Sequence, residues 1–83
     1  MKVLYFARLR QIVGKSEEEI DIPAGVATVG ALIDWLKARD EGYAHAFADL
    51  RVVRAAIDQT HAQFDAPING AREIAFFPPM TGG

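Results

Sequence analysis

Apolar residues recur at every second position near the two ends of the chain and at every third or fourth position in its middle. Val3-Leu4-Tyr5-Phe6 is a run of aliphatic, β-branched and aromatic residues, and it predicts a strand buried on at least one face. Leu9, Ile12 and Val13 then fall at helical spacing, but Gly14 ends the pattern within two turns, so a wide connection or one loose helical turn is expected. In Glu17-Glu18-Glu19-Ile20-Asp21-Ile22 the period returns to two, with Ile20 and Ile22 inward, charges outward and Pro23 as the stop. The three glutamates read as the solvated face and start of that strand. Two strands this close in sequence are expected to pair antiparallel.

Residues 28–39 carry the strongest helical pattern. Val29, Leu32, Ile33 and Leu36 form one stripe at i, i+3, i+4 and i+7, Thr28 is placed as N-cap, and Lys37 and Arg39 suit the C-terminal end of the dipole. Gly42 is placed to end the element, Gly30 weakens its first turn, and Trp35, just off the stripe, covers the core edge. Tyr43, Phe47 and Leu50 predict a short second helix or 3₁₀ turn. A third strand is expected over 51–57, a polar turn at Asp58-Gln59-Thr60, and a short fourth strand over 61–64. Ile68 anchors a turn at Asn69-Gly70, where positive φ is needed.

The last strand, 73–77, sets Ile74 and Phe76 on one face and Ala75 and Phe77 on the other. The order β-β-α-(short helix)-β-β-β contains no βαβ unit with a glycine-rich loop, which excludes a dinucleotide fold. One long helix between a leading hairpin and later strands implies an α+β, β-grasp layout. It is a single mixed sheet with the helix across one face and the first and last strands adjacent and parallel at its centre.

Composition narrows the function more than the fold. A length of 83 residues supports one domain, 1–83, and 51% hydrophobic with 24% charged residues reads as globular. A net charge of −2 gives no reason to expect nucleic acid or an anionic membrane as partner. There is no cysteine, which removes disulfides, thiolate metal sites and a cysteine nucleophile together and fits a reducing compartment. Without a cleavable leader pattern or a long apolar span, the expected location is the cytoplasm. His45 and His61 are far apart in sequence and Ser16 is the only serine, so neither a metal site nor a self-contained enzyme is expected.

The chemistry is expected at the end of the chain. After Phe76-Phe77, Pro78 and Pro79 cannot donate to a sheet ladder, and they stop the strand as a stiff, extended spacer. Met80, Thr81, Gly82 and Gly83 follow, so residues 78–83 form a projecting tail that is thin enough for a narrow cleft. It brings the carboxylate of Gly83 to another protein's catalytic centre. Phe77, on the strand face opposite Ile74 and Phe76, is expected as an exposed aromatic at the tail root and as a partner-binding anchor assisted by His61.

The stretch Ala75-Phe76-Phe77-Pro78-Pro79-Met80-Thr81-Gly82-Gly83 closely resembles the tail of the MoaD family, the small sulfur-carrier subunits of molybdopterin synthase. So do Val3-Leu4-Tyr5-Phe6-Ala7 with Arg10 and Val13-Gly14, and Ala55-Ala56-Ile57-Asp58-Gln59-Thr60 with Phe64-Asp65, Pro67 and Glu73-Ile74. The resemblance runs from end to end and implies a β-grasp fold. It implies that an ATP-dependent activating enzyme adenylates Gly83, that sulfur replaces an oxygen to give a thiocarboxylate, and that the large catalytic subunit receives the tail. There the sulfur passes to cyclic pyranopterin monophosphate. No cofactor is implied to stay bound to the chain itself. Asp58 stands where the family carries asparagine, Ala71-Arg72 where it carries Gly-Asp, and His61 where an apolar residue faces the catalytic subunit. Rival readings are a carrier for thiamin thiazole synthesis, a ubiquitin-like protein modifier, and a binding module with an inert tail.

Overall fold

The computed structural model describes residues 1–79; Met80, Thr81, Gly82 and Gly83 lie outside the described residues. Five strands, β1 (Lys2–Tyr5), β2 (Glu17–Glu19), β3 (Arg54–Ile57), β4 (Thr60–Ala62) and β5 (Glu73–Phe77), form one sheet in the order β2-β1-β5-β3-β4. The first and last strands are central neighbours and run parallel, with Val3 beside Ile74 and Tyr5 beside Phe76; the other pairs are antiparallel. This is the β-grasp arrangement expected from the pattern.

Helix α2 (Val29–Arg39) lies across one face because its stripe Val29, Leu32, Ile33 and Leu36 is fully buried there with Val3, Tyr5, Ile74 and Phe76. The Phe76 ring meets Phe47 edge-on at 5.0 Å and stacks on Tyr5 at 6.3 Å. Leu36→Ala should therefore cost about 2–5 kcal/mol, from lost transfer energy and the cavity left behind. Urea unfolding measures it, and a loss of only a few tenths would contradict this packing. Thr28 is the N-cap, its Oγ1 accepting from the Ala31 N–H at 3.1 Å. Gly30 has a role that propensity concealed. Its N–H donates to the Phe64 carbonyl at 2.8 Å, and an added Cβ would lie 3.2 Å from that oxygen, so the loop after β4 approaches the helix through the space that glycine leaves.

Several boundaries differ from expectation. Residues 7–13 form a complete helix, α1 (Ala7–Val13), rather than a loose turn. Gly14 closes it at φ 89°, donating to the Arg10 carbonyl at 2.8 Å, and buried Leu9 supplies the tertiary contact that so short a helix requires. Gly42 does not end α2. It lies inside α3 (Glu41–Ala46), whose N-cap Asp40 accepts from the Gly42 N–H at 2.8 Å. The third strand begins at Arg54, because Asp49 caps a 3₁₀ turn over Leu50–Val52. The β3–β4 hairpin turns on two residues, Asp58 and Gln59, both at positive φ. Asp58 Oδ1 accepts from the N–H groups of Arg72 and Glu73 at 2.9 and 3.0 Å. An acceptor is all those bonds use, so the carboxylate can stand where the resembling family has asparagine. Gly70, at φ 79°, takes the positive-φ position of the following turn.

The acidic strand is the largest departure. β2 covers only Glu17–Glu19, and Glu18 pairs with Val3, which places it on the helix-covered side. Its side chain is 12% exposed and accepts from the hydroxyls of Tyr5, at 2.7 Å, and Tyr43; Lys15 and Arg39 lie 3.6 Å from its other oxygen. Burial opposes ionisation of Glu18 most strongly. The two tyrosine hydrogen bonds and the two cations together outweigh it and hold the carboxyl below its ordinary range. Burial first, and then the Glu18 carboxylate, push both tyrosines up.

Candidate docking face and tail root

The side of the sheet away from α2 carries the alternate residues of each strand. Cross-strand register aligns Leu4, Ala75, Ala56 and His61 in one row across four strands. One step toward the chain end, Phe77 pairs with Arg54 on β3 and leads into Pro78. Phe77 is half-buried rather than exposed as expected, because the His61 ring packs edge-on against it at 5.3 Å. The structure thus brings together the two residues that the sequence suggested for partner binding, although 16 positions separate them.

Phe6 completes the face, and the sequence pattern alone did not single it out. Its backbone is extended, and its N–H donates to the Phe76 carbonyl at 3.1 Å, so it continues the β1 alternation on the same side as Leu4. The chain then leaves the sheet at once through Ala7, at φ 51°. A left-handed alanine costs about 1–2 kcal/mol, and the sharp exit leaves Phe6 uncovered at 44% exposure. The available signal was the even-numbered series Lys2, Leu4, Phe6, offset from the odd-numbered core series Val3, Tyr5.

Pro78 and Pro79 follow β5 without joining a strand, both half-buried. The expected reacting residue, Gly83, and the expected threading residues Met80, Thr81 and Gly82 lie outside the described residues. Among the described residues no group of three His, Cys, Asp or Glu side chains could hold a metal ion, and no helix is long and apolar enough to cross a membrane. The site consists of an apolar face with a polar rim at the root of a proline-stiffened segment. Such a surface can dock a protein.

Comparison with known proteins agrees with this geometry. The ThiS family model matches residues 3–83. The molybdopterin synthase sulfur carrier subunit of Escherichia coli is 41% identical over 83 residues, covering 100% of this chain and 99% of its own. Among solved structures, a Pyrococcus furiosus chain described as molybdopterin converting factor, subunit 1, superposes with a TM-score of 0.73 at 33% identity, covering 94% of each chain. SAMP1 from Haloferax volcanii superposes with a TM-score of 0.70 at 27% identity, covering 100% of this chain and 98% of its own.

Proposed function

This chain belongs to the ThiS family, and from that premise we propose that it is the sulfur-carrying small subunit of a molybdopterin synthase, with Gly83 as the group that is charged. The observation that carries the reading is the apolar face of Phe6, Leu4, Ala75 and Phe77, gathered where β5 runs into Pro78-Pro79. A carrier needs a surface for its partners beside a tail that reaches past that surface. Phe77 to Gly83 is six residues, roughly 20 Å when extended. The names of the similar proteins, sulfur carrier subunit and converting factor, point the same way.

The chemistry begins on an ATP-dependent activating enzyme. A Gly83 carboxylate oxygen attacks the α-phosphorus of ATP, pyrophosphate leaves, and the resulting mixed anhydride has a far better leaving group than the carboxylate. A donor that supplies its sulfur as hydrosulfide then attacks the acyl carbon, the C–O bond to AMP breaks and AMP departs, leaving a thiocarboxylate, a soft anionic nucleophile that this chain carries without a cysteine of its own. Within the large catalytic subunit that sulfur takes the place of a carbon-bound oxygen of cyclic pyranopterin monophosphate, water cleaves the resulting thioester to return the Gly83 carboxylate, and two such deliveries build the dithiolene of molybdopterin. Gly82 and Gly83 lack the Cβ atoms that would obstruct a narrow tunnel. The reaction is located by the tail and assisted by the partner's groups, so the chain contributes positioning and the sulfur atom itself.

Intact-mass analysis tests the reading. With the activating enzyme, ATP and a sulfur donor, the protein should gain the mass difference between sulfur and oxygen, localised by fragmentation to Gly83. It should lose that mass as molybdopterin forms with the large subunit. Sulfur delivered only to a thiazole precursor would make it a thiamin-pathway carrier, and a lysine isopeptide without sulfur transfer would make it a protein modifier. Phe77→Ala should weaken binding to the large subunit by more than about 1 kcal/mol, because buried aromatic anchors dominate interfaces. Unchanged affinity in titration calorimetry, with the variant still folded, would remove Phe77 from the contact.

A further inference from the structure

A second concavity lies against the tail root. It has a volume of about 170 Å³ and is walled by Leu9 and Ile12 of α1, Ala46 of α3, Val52 of the 3₁₀ turn, and Pro78. Only two large apolar side chains among the described residues are as much as 44% exposed, Phe6 and Val52. Phe6 abuts the segment before Pro78 through its bond to Phe76, and Val52 shares this pocket with Pro78. Exposed apolar groups gathered at one end of a small domain mark a contact surface better than scattered ones do.

Size and charge narrow what enters. Small-molecule sites run to roughly 300–1,000 Å³, so this pocket is too small for a nucleotide or a pterin and suits one aliphatic or aromatic side chain. Arg8 and His45 line its mouth. Asp49 is also there, but its carboxylate is taken by Arg51 at 3.0 Å. Among the described residues Arg8 pairs with no carboxylate, so the rim carries unbalanced positive charge.

We propose that this pocket is a second docking point for the large subunit, receiving one apolar side chain that is flanked by a carboxylate facing Arg8. The proposal rests on the sulfur-carrier reading. A partner that takes the residues after Pro79 into a cleft meets the surface around Pro78, and Pro78 is a wall of this pocket. The tail would then be collared, by the Phe6–Phe77 face on one side and by the pocket on the other, which fixes its direction of entry.

The test is titration of the full chain with the large subunit. Ala48→Phe plugs the pocket mouth from an exposed loop position, and Arg8→Glu reverses the rim charge without touching the core. Each should weaken binding about tenfold or more with the melting temperature unchanged, whereas Arg72→Glu, at the opposite end of β5, should not. Wild-type affinity in both pocket variants, while Phe77→Ala binds more weakly, would overturn the pocket and leave the docking face standing. Equal losses in Arg8→Glu and Arg72→Glu would show a general charge effect and overturn it too. Loss of the Ala48→Phe effect in a chain cut after Pro79 would assign the pocket to the chain's own last residues. An effect seen only with the activating enzyme or with a second copy of the chain would give it to that partner instead. If the unaltered chain does not bind the large subunit at all, the sulfur-carrier reading falls together with the pocket.

Discussion

A chain lacking Gly83, or carrying one extra residue after it, should fold normally, bind the large subunit close to normally and transfer no sulfur. The sheet, α2 and the candidate docking face are complete by Phe77, and Pro78 is the last of the described residues to line the pocket. Neither change removes a contact found among the described residues. Either moves the reacting carbon by about 3 Å along an extended backbone. A misplacement of about 1 Å can cost roughly a hundredfold when catalysis depends on holding atoms in line, so a full residue should abolish turnover within detection. Three measurements separate the effects: melting temperature for the fold, titration for docking, and molybdopterin formation for transfer. If the lengthened chain still gave molybdopterin at the native rate, the reacting atom would not be the Gly83 carbonyl. If docking were lost with transfer, the last residue would be a major source of binding energy, and the division between domain and tail would be wrong.

Legibility in the sequence followed how local each cause is. The α2 stripe could be read from spacing because a helix buries what its own period aligns, and all four stripe residues are buried. Central parallel placement of the first and last strands could be read because their connection is long and both are densely apolar. α1 was under-read because its stability lies in the contact of Leu9 with the core and in the αL cap at Gly14, and only the cap is visible in sequence. Gly30 looked like a propensity defect because the carbonyl it admits belongs to Phe64, 34 residues later. The docking face was half legible. Alternation put Phe77 on the open side, but its cover by His61 and the presence of Phe6 beside it depend on register between strands distant in sequence.

Glu18 is the clearest case of a side chain whose role is set by distant partners, and its loss should be the most damaging single polar change in the described fold. Glu18→Leu should destabilise the protein by about 2–4 kcal/mol, since two tyrosine hydroxyls lose their acceptor and two cations lose their counter-charge. For a domain of this size that corresponds to a melting temperature roughly 8–32 °C lower. Glu18→Gln keeps an oxygen for the tyrosines and loses only the charge, so about 1 kcal/mol is expected.

The pH dependence distinguishes charge from packing. The folded carboxyl is held below its ordinary value, so the unfolded chain binds the proton first as pH falls. The stabilisation is fully present above the unfolded value of about 4.3 and is lost as the pH drops through the lower folded value. The gap between wild type and Glu18→Gln should therefore be constant near neutrality and close progressively below about pH 4. Denaturant unfolding of both proteins across that range supplies the comparison. Curves that stay parallel into acid would mean that the Tyr5–Glu18–Tyr43 cluster stabilises the fold through hydrogen-bond geometry alone, with Lys15 and Arg39 as bystanders.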